Sequence, residues 1–550
     1  MIPTEQQQII LNENVNSVII ASPGSGKTFV LSQKIKQDLS SLLDYQGVIA
    51  ISYTNKASNE LKGRSLSNGE DPKCSFFGTI DKFNLSEIII PFAKQLFGIP
   101  VNVIKVTKIS SLSSDEQNLF AWFNRNFRSD ELTNEYINTL SNYFHNGLIL
   151  IETIGLFANY VFSNSVACRN FIKARYVSIY IDEYQDSGFE QHQLFIKIMS
   201  LGIKAIAVGD LNQSIFAFSG KDAKYLKELT LTKSFKHFKL DKNHRCHPSI
   251  INYSNYLLDP STELIPIDQN QIMFIRIEGD EISMAEWIDK KINDIKRVFN
   301  FDSLNKCAIL TRGNRTGDIL NSHLQTPHRL FLNNELDINL NIWSAIFSNL
   351  LHFLFDKSFR FIDVIEVFTS YERFNNSQLN LLKIHKDNIE RISKQTPLDL
   401  DYLKMEFIEV ANIIAPNLRN EESIELLDQV LNNQFELNSY KPSDLNDLNI
   451  MTLHKSKGLE FDVIIHTDLY EWVFPTKLPG KNNDFNNPIY ADWDQDLNLH
   501  YVGLTRAKKG CILLSSTKRT NNQNKIKNAK DSEFLHINEI HKLRYISKKN

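Results

Sequence analysis

Two stretches of the chain carry residues whose types and spacing suit phosphate chemistry. The first, ASPGSGKT (Ala21–Thr28), follows an apolar run and precedes a helical pattern. Glycines there let backbone N–H groups surround phosphate oxygens, and the start of the helix adds a favourable dipole. Lys27 would reach the β- and γ-phosphates of a nucleotide, and the Thr28 hydroxyl would bind Mg²⁺. Ala21 replaces the usual first glycine, so an ordinary glycine-rich turn is the alternative interpretation.

The second stretch, YVSIYIDEYQDS (Tyr176–Ser187), places three carboxylates at the end of an apolar run. A carboxylate removed from water is costly unless a cation or hydrogen-bond donors meet it. Beside a phosphate-binding loop, Asp182 fits the acid that positions Mg²⁺ through water, and Glu183 fits the base that activates an attacking water. An acidic strand end facing solvent is the alternative. Asp186 would couple this site to another segment, although an acid at a helix N-terminus explains it nearly as well.

Apolar runs that alternate with helical patterns predict the sheets that hold these residues. Buried parallel strands are predicted at 17–21, 47–52, 177–182 and 204–210. A second set is predicted at 272–277, 307–312, 449–454, 462–467 and 511–516. The fold class is therefore α/β. Helical patterns without strand signals predict one insertion in each α/β domain.

The predicted domain boundaries follow from this alternation. The first α/β domain takes residues 1–84 and 175–268, with its helical insertion at 85–174. The second takes residues 269–340 and 449–550, with its helical insertion at 341–448.

Composition limits the classes of protein that the chain can belong to. With 550 residues it needs two or more domains. A net charge of −3 excludes a uniformly basic coat for nucleic acid but leaves room for local basic grooves. The five cysteines are far apart and form no CxxC pair, so neither a zinc ribbon nor a disulfide framework is supported. With no secretion signal and no apolar run of membrane length, we expect a cytoplasmic protein without a membrane partner.

Further motifs occur in a fixed order and identify a family. They are PTEQQQII (3–10), SYTNKASNELKGR (52–64), GTIDKF (78–83), VGDLNQSIFAFSG (208–220), LDKNHRCHPSI (240–250), TLHKSKGLEFDVI (452–464), WVFPTK (472–477) and YVGLTRAKK (501–509). Together with the two stretches above, they resemble superfamily 1 helicases of the UvrD/Rep type. The resemblance implies two RecA-like P-loop NTPase domains, each with a mostly helical insertion. It also implies ATP (or another NTP or dNTP), Mg²⁺ and DNA.

The resemblance also implies roles at the nucleotide. Arg245 and Arg506 would contact the γ-phosphate, and Gln213, supported by Asp210, would link it to the DNA site. Gln6 would read the adenine, and His244 would stack on it, while Glu460 would approach the sugar. The phosphate-binding loop itself would consist of Ala21, Ser22, Pro23, Gly24, Ser25, Gly26, Lys27 and Thr28.

On the DNA side, the resemblance implies aromatic platforms beside polar contacts. The platforms would be Tyr53, Phe216 and Phe218, because any base can stack on an aromatic face. The polar contacts would be Thr54, Asn55, Thr79 and His454. An isolated Phe is more often a core residue, and a lone His is more often structural.

Three departures from the family pattern affect these roles. Ser219 stands where the family usually has Arg, so a cation near the DNA is lost. His244 stands where Tyr or Phe is usual, and Phe29 replaces a basic residue. Selectivity for adenine is therefore open, and so is strand separation, since the insertions are short.

A narrower resemblance is to the helicase-like subunit of the Gabija anti-phage system. NHRCHPSIINYSN (243–255), SEIIIPFAKQLFG (86–98) and the compact insertions carry it. It implies a DNA-dependent ATPase and 3′-to-5′ translocase that serves an OLD-family (TOPRIM) ATPase–nuclease in a hetero-oligomer. A stand-alone repair helicase is one alternative. A DNA-end-sensing NTPase switch without productive unwinding is another.

Overall fold

The computed structural model describes residues 3–545 except 54, 68, 103, 125–126, 216–219, 332–333, 340, 357–358, 366–373, 443 and 522–524. Within these residues, two six-stranded parallel sheets form the body of the protein. The predicted α/β class with two RecA-like domains is confirmed.

The first sheet explains how distant loops meet at one edge. Its strands, in spatial order, are Phe76–Gly78, Gly47–Ile51, Tyr176–Ile181, Lys204–Gly209, Ser17–Ala21 and Lys236–Leu240. All neighbours are parallel, so the carboxyl ends of the strands lie together. The central strands are almost continuously apolar because helices cover both faces.

Helices of the first domain pack on both faces of this sheet. They are Glu5–Asn12, Lys27–Leu39, Asn55–Ser65, Ile80–Phe83, Phe189–Ser200 and Lys224–Leu231. Short 3₁₀ turns at Tyr184–Asp186 and Leu211–Gln213 follow two of the central strands at the carboxyl edge.

The first insertion is mostly helical. It begins with a π-helical turn at Asn84–Ile89, and its α-helices are Ile90–Phe92, Lys94–Phe97, Ser114–Asn118, Asn134–His145, Ile154–Asn164 and Val166–Arg175. Its 3₁₀ turns are Ile109–Ser111, Ser129–Glu131 and Ile151–Thr153. A small parallel pair of strands, Lys105–Thr107 and Leu148–Leu150, also lies inside it, and the sequence pattern did not predict this pair.

The second sheet has the same architecture. Its strands, in spatial order, are His328–Phe331, Leu448–Thr452, Cys307–Thr311, Phe461–His466, Ala507–Ser516 and Ile272–Ile277. Its helices are Glu281–Val298, Asn314–His323 and Trp493–Leu504, with 3₁₀ turns at Leu304–Lys306, Glu533–Leu535 and Ile537–Leu543.

The second insertion is helical throughout its described part. Its helices are Glu335–Ile338, Ile342–Phe355, Phe361–Ile365, Asn376–Ile392, Leu400–Ile414, Glu421–Asn432 and Gln434–Ser439, with a 3₁₀ turn at Pro416–Leu418. A separate apolar core holds it together, built around the fully buried Trp343, Phe347 and Phe407. Beyond the insertion, two hairpins extend from the second domain, Lys477–Gly480 with Asp484–Tyr490 and Lys518–Thr520 with Ile526–Asn528.

The helix Pro248–Leu258 joins the two domains. It falls inside the range 175–268 predicted for the first domain, yet its buried side chains, Ile250, Tyr253 and Leu257, pack into the core of the second sheet. The chain therefore passes into the second domain just after Arg245. Among the described residues, no helix has both the length and the apolar character needed to cross a membrane.

Candidate nucleotide and DNA site

The phosphate-binding loop connects the strand Ser17–Ala21 to the helix Lys27–Leu39. Gly24 and Gly26 adopt φ values of 68° and 88°, a left-handed conformation that favours glycine. A Cβ on Gly24 would lie 2.5 Å from Asn243 Oδ1, and a Cβ on Gly26 would lie 2.6 Å from Gln7 Nε2. Ala21, by contrast, is the last residue of a buried strand, where a methyl group is accommodated.

The two predicted catalytic carboxylates lie directly opposite this loop. Asp182 follows the strand Tyr176–Ile181, and its Oδ2 accepts a hydrogen bond from Thr28 Oγ1 at 3.5 Å. Glu183 has a left-handed φ of 54°, and its Oε1 lies 3.5 Å from Lys27 Nζ. A positive φ is uncommon for glutamate, so tertiary contacts must hold this side chain beside Lys27.

The carboxyl groups of Asp182 and Glu183 have very different pKa values. Burial and the charge of Glu183 raise the pKa of Asp182 to about 7. Burial also acts to raise the pKa of Glu183, but the nearby charges of Lys27 and Lys457 outweigh it and hold that pKa at about 2. The solvent-facing alternative is excluded for Asp182, which is buried, while Glu183 is half-buried beside Lys27.

The residues here fit a Mg²⁺ ion. Thr28 and Asp182 present a hydroxyl and a carboxylate oxygen side by side, and both are ligands that Mg²⁺ accepts. The buried carboxylate of Asp182 is repelled by Glu183, and a cation would relieve that repulsion.

A chain of hydrogen bonds connects the carboxylates to the second domain. Asp210 Oδ2 accepts a bond of 2.7 Å from Gln213 Nε2, and Gln213 Oε1 accepts one of 3.3 Å from Arg506 Nη2. On the other side, Gln185 bonds to the Glu183 carboxylate and to the backbone N–H of Asp210. Arg506 is 3% exposed, so burial together with the neighbouring Arg245 lowers its pKa to about 10.

Arg245 forms a second contact across the cleft. Its guanidinium donates to Glu460 Oε1 and to the Thr505 carbonyl, both at 2.8 Å, and Lys508 pairs with the other oxygen of Glu460 at 2.9 Å. The Nε of Arg245 is buried without a hydrogen-bond partner among the described residues. A phosphate oxygen would satisfy that donor.

A cavity of about 690 Å³ lies between these groups, within the usual size of a small-molecule site. Eleven predicted residues line it, namely Pro23, Gly24, Gly26, Lys27, Thr28, Glu183, Gln213, His244, Arg245, Glu460 and Arg506. Phe29 lines it too, whereas Ala21, Ser22, Ser25 and Asp182 are not among the residues that line it.

The structure distinguishes two adjacent glutamines. Gln6 donates to Asp241 Oδ1 at 2.7 Å and is not part of the cavity lining. Gln7, which was not predicted to contact the nucleotide, lines the cavity and donates to the Ser25 carbonyl at 3.0 Å. The helical phase of Glu5–Asn12 turns Gln7 inward.

Asp186, the third acid, pairs with a residue of the second domain. Its Oδ2 lies 2.6 Å from Lys457 Nζ, which also donates to the Gln213 carbonyl at 2.7 Å. Asp186 is 2% exposed, and burial raises its pKa to about 6 despite the charge of Lys457. Asp186 therefore joins the two domains, and it does not cap the helix Phe189–Ser200, whose N-cap is Gly188.

Only some of the residues predicted to contact DNA lie in the described part of the chain. Thr54, Phe216, Phe218 and Ser219 lie outside the described residues, as does the side chain of Asn55. Thr79 caps the short helix Ile80–Phe83. The ring of Tyr53 is covered by Lys221, whose Nζ lies 3.8 Å from the ring centroid.

His454 lies at the carboxyl edge of the second sheet, two residues after the strand Leu448–Thr452. Burial and the charge of Arg312 lower its pKa to about 4, so the imidazole is neutral at pH 7. A neutral imidazole can donate or accept one hydrogen bond at each nitrogen, as a polar contact to DNA would require.

The site combines a phosphate-binding loop, Asp182 and Asp210 at the ends of adjacent parallel strands, and Arg245 and Arg506 at a cleft between two such domains. These features define a P-loop NTPase with two motor domains. Comparison with known proteins agrees. Residues 2–90 and 101–235 match the UvrD/REP helicase N-terminal domain, and residues 357–518 match the UvrD-like helicase C-terminal domain. The chain belongs to the UvrD/Rep family of helicases, which confirms the predicted family.

Several curated relatives are similar along nearly the whole chain. Gabija protein GajB of Bacillus cereus is 24% identical, over 93% of this chain and 95% of that protein. A probable DNA helicase II homolog of Mycoplasma genitalium is 23% identical, over 98% of this chain and 87% of that protein. The ATP-dependent DNA helicase PcrA of Staphylococcus epidermidis is 23% identical, over 94% of this chain and 83% of that protein.

Proposed function

We propose that the chain is a DNA-dependent ATPase and 3′-to-5′ translocase that serves an OLD-family ATPase–nuclease in anti-phage defence. The observation that best supports the ATPase is the cavity in which Lys27 and Glu183 of the first domain face Arg506 of the second. Hydrolysis at such a junction can change the separation of the domains, and a change in separation can move bound DNA.

The residues have separate tasks in hydrolysis. Bound ATP brings phosphates that compete with Glu183 for Lys27, so the Glu183 carboxylate is released to accept a proton from the attacking water. Thr28 and Asp182 would hold Mg²⁺, which neutralises phosphate charge when bound. Arg245 and Arg506 would stabilise the charge that develops on the γ-phosphate oxygens.

Contact across the cleft depends on the same residues. Gln213 joins Asp210 of the first domain to Arg506 of the second, and Lys457 joins the second domain to Asp186. Because Arg506 donates a hydrogen bond to Gln213, a γ-phosphate that binds Arg506 would change the contacts of Gln213 directly. This arrangement favours a motor whose cleft closes around ATP.

The likeness to GajB supports the defence role and the nuclease partner. The two proteins match over nearly their full lengths, whereas the helicase II homolog and PcrA extend further beyond the match. We therefore propose a hetero-oligomer with an OLD-family (TOPRIM) ATPase–nuclease subunit in the cytoplasm. A stand-alone repair helicase is the second candidate, because the helicase II homolog matches 98% of this chain.

Lys27→Ala tests the ATPase. We expect DNA-stimulated phosphate release to be abolished, because Lys27 is the residue that would bind the β- and γ-phosphates. Undiminished turnover in this variant would contradict the assignment of the site. A matched control is Lys36→Ala, on the same helix, where the lysine pairs with Glu70.

Translocation and partnership need separate experiments. Displacement of streptavidin from the 5′ end of biotinylated single-stranded DNA, but not from the 3′ end, is expected for a 3′-to-5′ motor. Hydrolysis without displacement from either end would favour the DNA-end-sensing switch.

The nuclease partner is tested by co-expression. Co-purification of the chain with an OLD-family nuclease would support the proposed hetero-oligomer. Efficient duplex unwinding by the chain alone would instead support the stand-alone repair helicase.

A further inference from the structure

Lys221 occupies a distinctive position at the proposed DNA face of the first domain. Its ammonium lies over the ring of Tyr53, 3.8 Å from the centroid. The backbone there is fixed, because Lys221 forms an antiparallel bridge with Gly188 and the next N–H donates to the Ser187 carbonyl at 3.2 Å. The lysine is thus anchored to the segment that follows Asp186.

The charges around Lys221 come from the elements that converge there. Asp186 follows the central strand Tyr176–Ile181, and Asp81 lies in the helix Ile80–Phe83. Burial lowers the pKa of Lys221, Asp186 and Asp81 raise it, and Lys457 of the second domain lowers it. Charges of both domains therefore affect the pKa of Lys221.

A cavity of about 740 Å³ between the first domain and its insertion opens beside Lys221. Three other charged groups in its wall, Lys224, Arg128 and Glu190, already have partners. Lys224 pairs with Asp222 at 3.2 Å, and the Arg128 guanidinium lies 4.8 Å from the centre of the Phe189 ring. Glu190 accepts hydrogen bonds from Asn159 and from a backbone N–H.

We propose that Lys221 binds a backbone phosphate of single-stranded DNA and that it covers the Tyr53 ring until DNA arrives. The preceding residues 216–219, FAFS, contain no cation, so Lys221 is the first basic residue after this segment. This proposal rests on the proposed DNA-dependent activity and adds a binding residue to it.

The replacement of the Lys221 ammonium by a DNA base on the Tyr53 ring is close to neutral in free energy. A cation over an aromatic ring and a base stacked on an aromatic ring are favourable contacts of comparable strength. When a base takes the Tyr53 face, the flexible lysine side chain can turn its ammonium to the adjacent phosphate. Tyr53 and Lys221 then both keep a favourable partner.

The test is the salt dependence of DNA binding. We would measure fluorescence anisotropy of a labelled oligo(dT) with the full chain across a series of salt concentrations. For Lys221→Met we expect weaker binding and a slope of log K against log salt that is shallower by about 0.7, which corresponds to one lost phosphate contact on a single strand. Lys221→Arg should restore the wild-type slope, because it keeps the charge.

Lys227→Met is the matched control. Lys227 lies on the neighbouring helix Lys224–Leu231 and is exposed, so this variant has the same change in charge but should keep the wild-type slope. A folded fraction that stays constant across the salt series scales K without changing the slope, so circular dichroism of Lys221→Met over the same series excludes partial unfolding as the cause. A wild-type slope in Lys221→Met would overturn the role of Lys221 alone. A wild-type protein that binds no DNA would overturn the proposed function as well.

Discussion

The pair formed by Lys457 and Asp186 gives a prediction whose size follows from the structure. Lys457→Met removes the charge that lies 2.6 Å from the Asp186 carboxylate and keeps most of the side-chain volume. Asp186 is then left buried beside Glu183 without a cation in direct contact. We expect it to take up a proton, because an unpaired buried carboxylate is otherwise too costly.

The direction of the effect follows from the pKa of Asp186, which is raised from 3.8 to about 6 by burial. A carboxyl with a raised pKa contributes stability below its unfolded pKa, and that contribution is lost as pH rises through the folded pKa. In the wild type, the contribution of Asp186 to the free energy of unfolding is fully lost slightly above pH 6. In Lys457→Met the folded pKa is higher, so the loss continues to higher pH.

The size of the effect is therefore a function of pH. Each pH unit above 6 costs the variant about 1.4 kcal/mol relative to the wild type, until the new pKa is reached. At pH 7 this amounts to about 1.4 kcal/mol. The lost hydrogen bond to the Gln213 carbonyl adds about 1 kcal/mol that does not depend on pH.

Urea denaturation of the full chain at several pH values between about 5.5 and 8 measures this difference. The free energy of unfolding should diverge between the wild type and Lys457→Met as pH rises. The double variant Asp186→Asn with Lys457→Met has no carboxylate at position 186, so the pH-dependent part of the difference from the wild type should disappear above pH 6. Parallel curves for the wild type and Lys457→Met would refute the assignment of Asp186 as the buried partner of Lys457.

Two further predictions concern the nucleotide. Glu183→Gln should retain ATP binding, since Lys27 is freed for phosphates, and should lose about 10²- to 10⁴-fold in single-turnover hydrolysis; a normal rate would show that another group is the base. Gln7→Leu leaves the Ser25 carbonyl without its donor, so we expect ATP affinity, measured with a fluorescent analogue, to fall by about tenfold. Gln8→Leu on the exposed face of the same helix should bind ATP as the wild type does, and an equal loss in both variants would contradict a specific role for Gln7.

Much of the fold could be predicted from the sequence because parallel strands covered on both faces are nearly continuous apolar runs. The predicted strand at 17–21 has the same bounds in the structure, and 204–210 differs by one residue. The phosphate-binding loop was predictable for a related reason, since its glycines, Lys27 and Thr28 are local in sequence. Each of these signals is complete within a few residues of the chain.

Contacts between distant segments could not be predicted in the same way. Gln6 and Gln7 have the same chemistry, and only the packing of their helix decides which one reaches the phosphate loop. Lys457 and Asp186 are separated by 271 positions, and nothing in either local sequence identifies the other as its partner. The sequence could show that Asp186 needed a cation or a cap, but it could not distinguish between the two.

Two of the three acids that follow the strand Tyr176–Ile181, Glu183 and Asp186, share one physical logic. Glu183 forms an ion pair with Lys27, and Asp186 forms one with Lys457. The charge of Asp186 also raises the pKa of Lys221. Lys27 therefore rests beside a carboxylate where phosphates of ATP are proposed to bind, and Lys221 rests on the Tyr53 ring where DNA is proposed to bind. A phosphate competes for such a lysine at a modest cost because the charge is already desolvated, and the released carboxylate becomes available for its next partner. Hydrolysis at Glu183 would thus depend on whether a phosphate has taken Lys27.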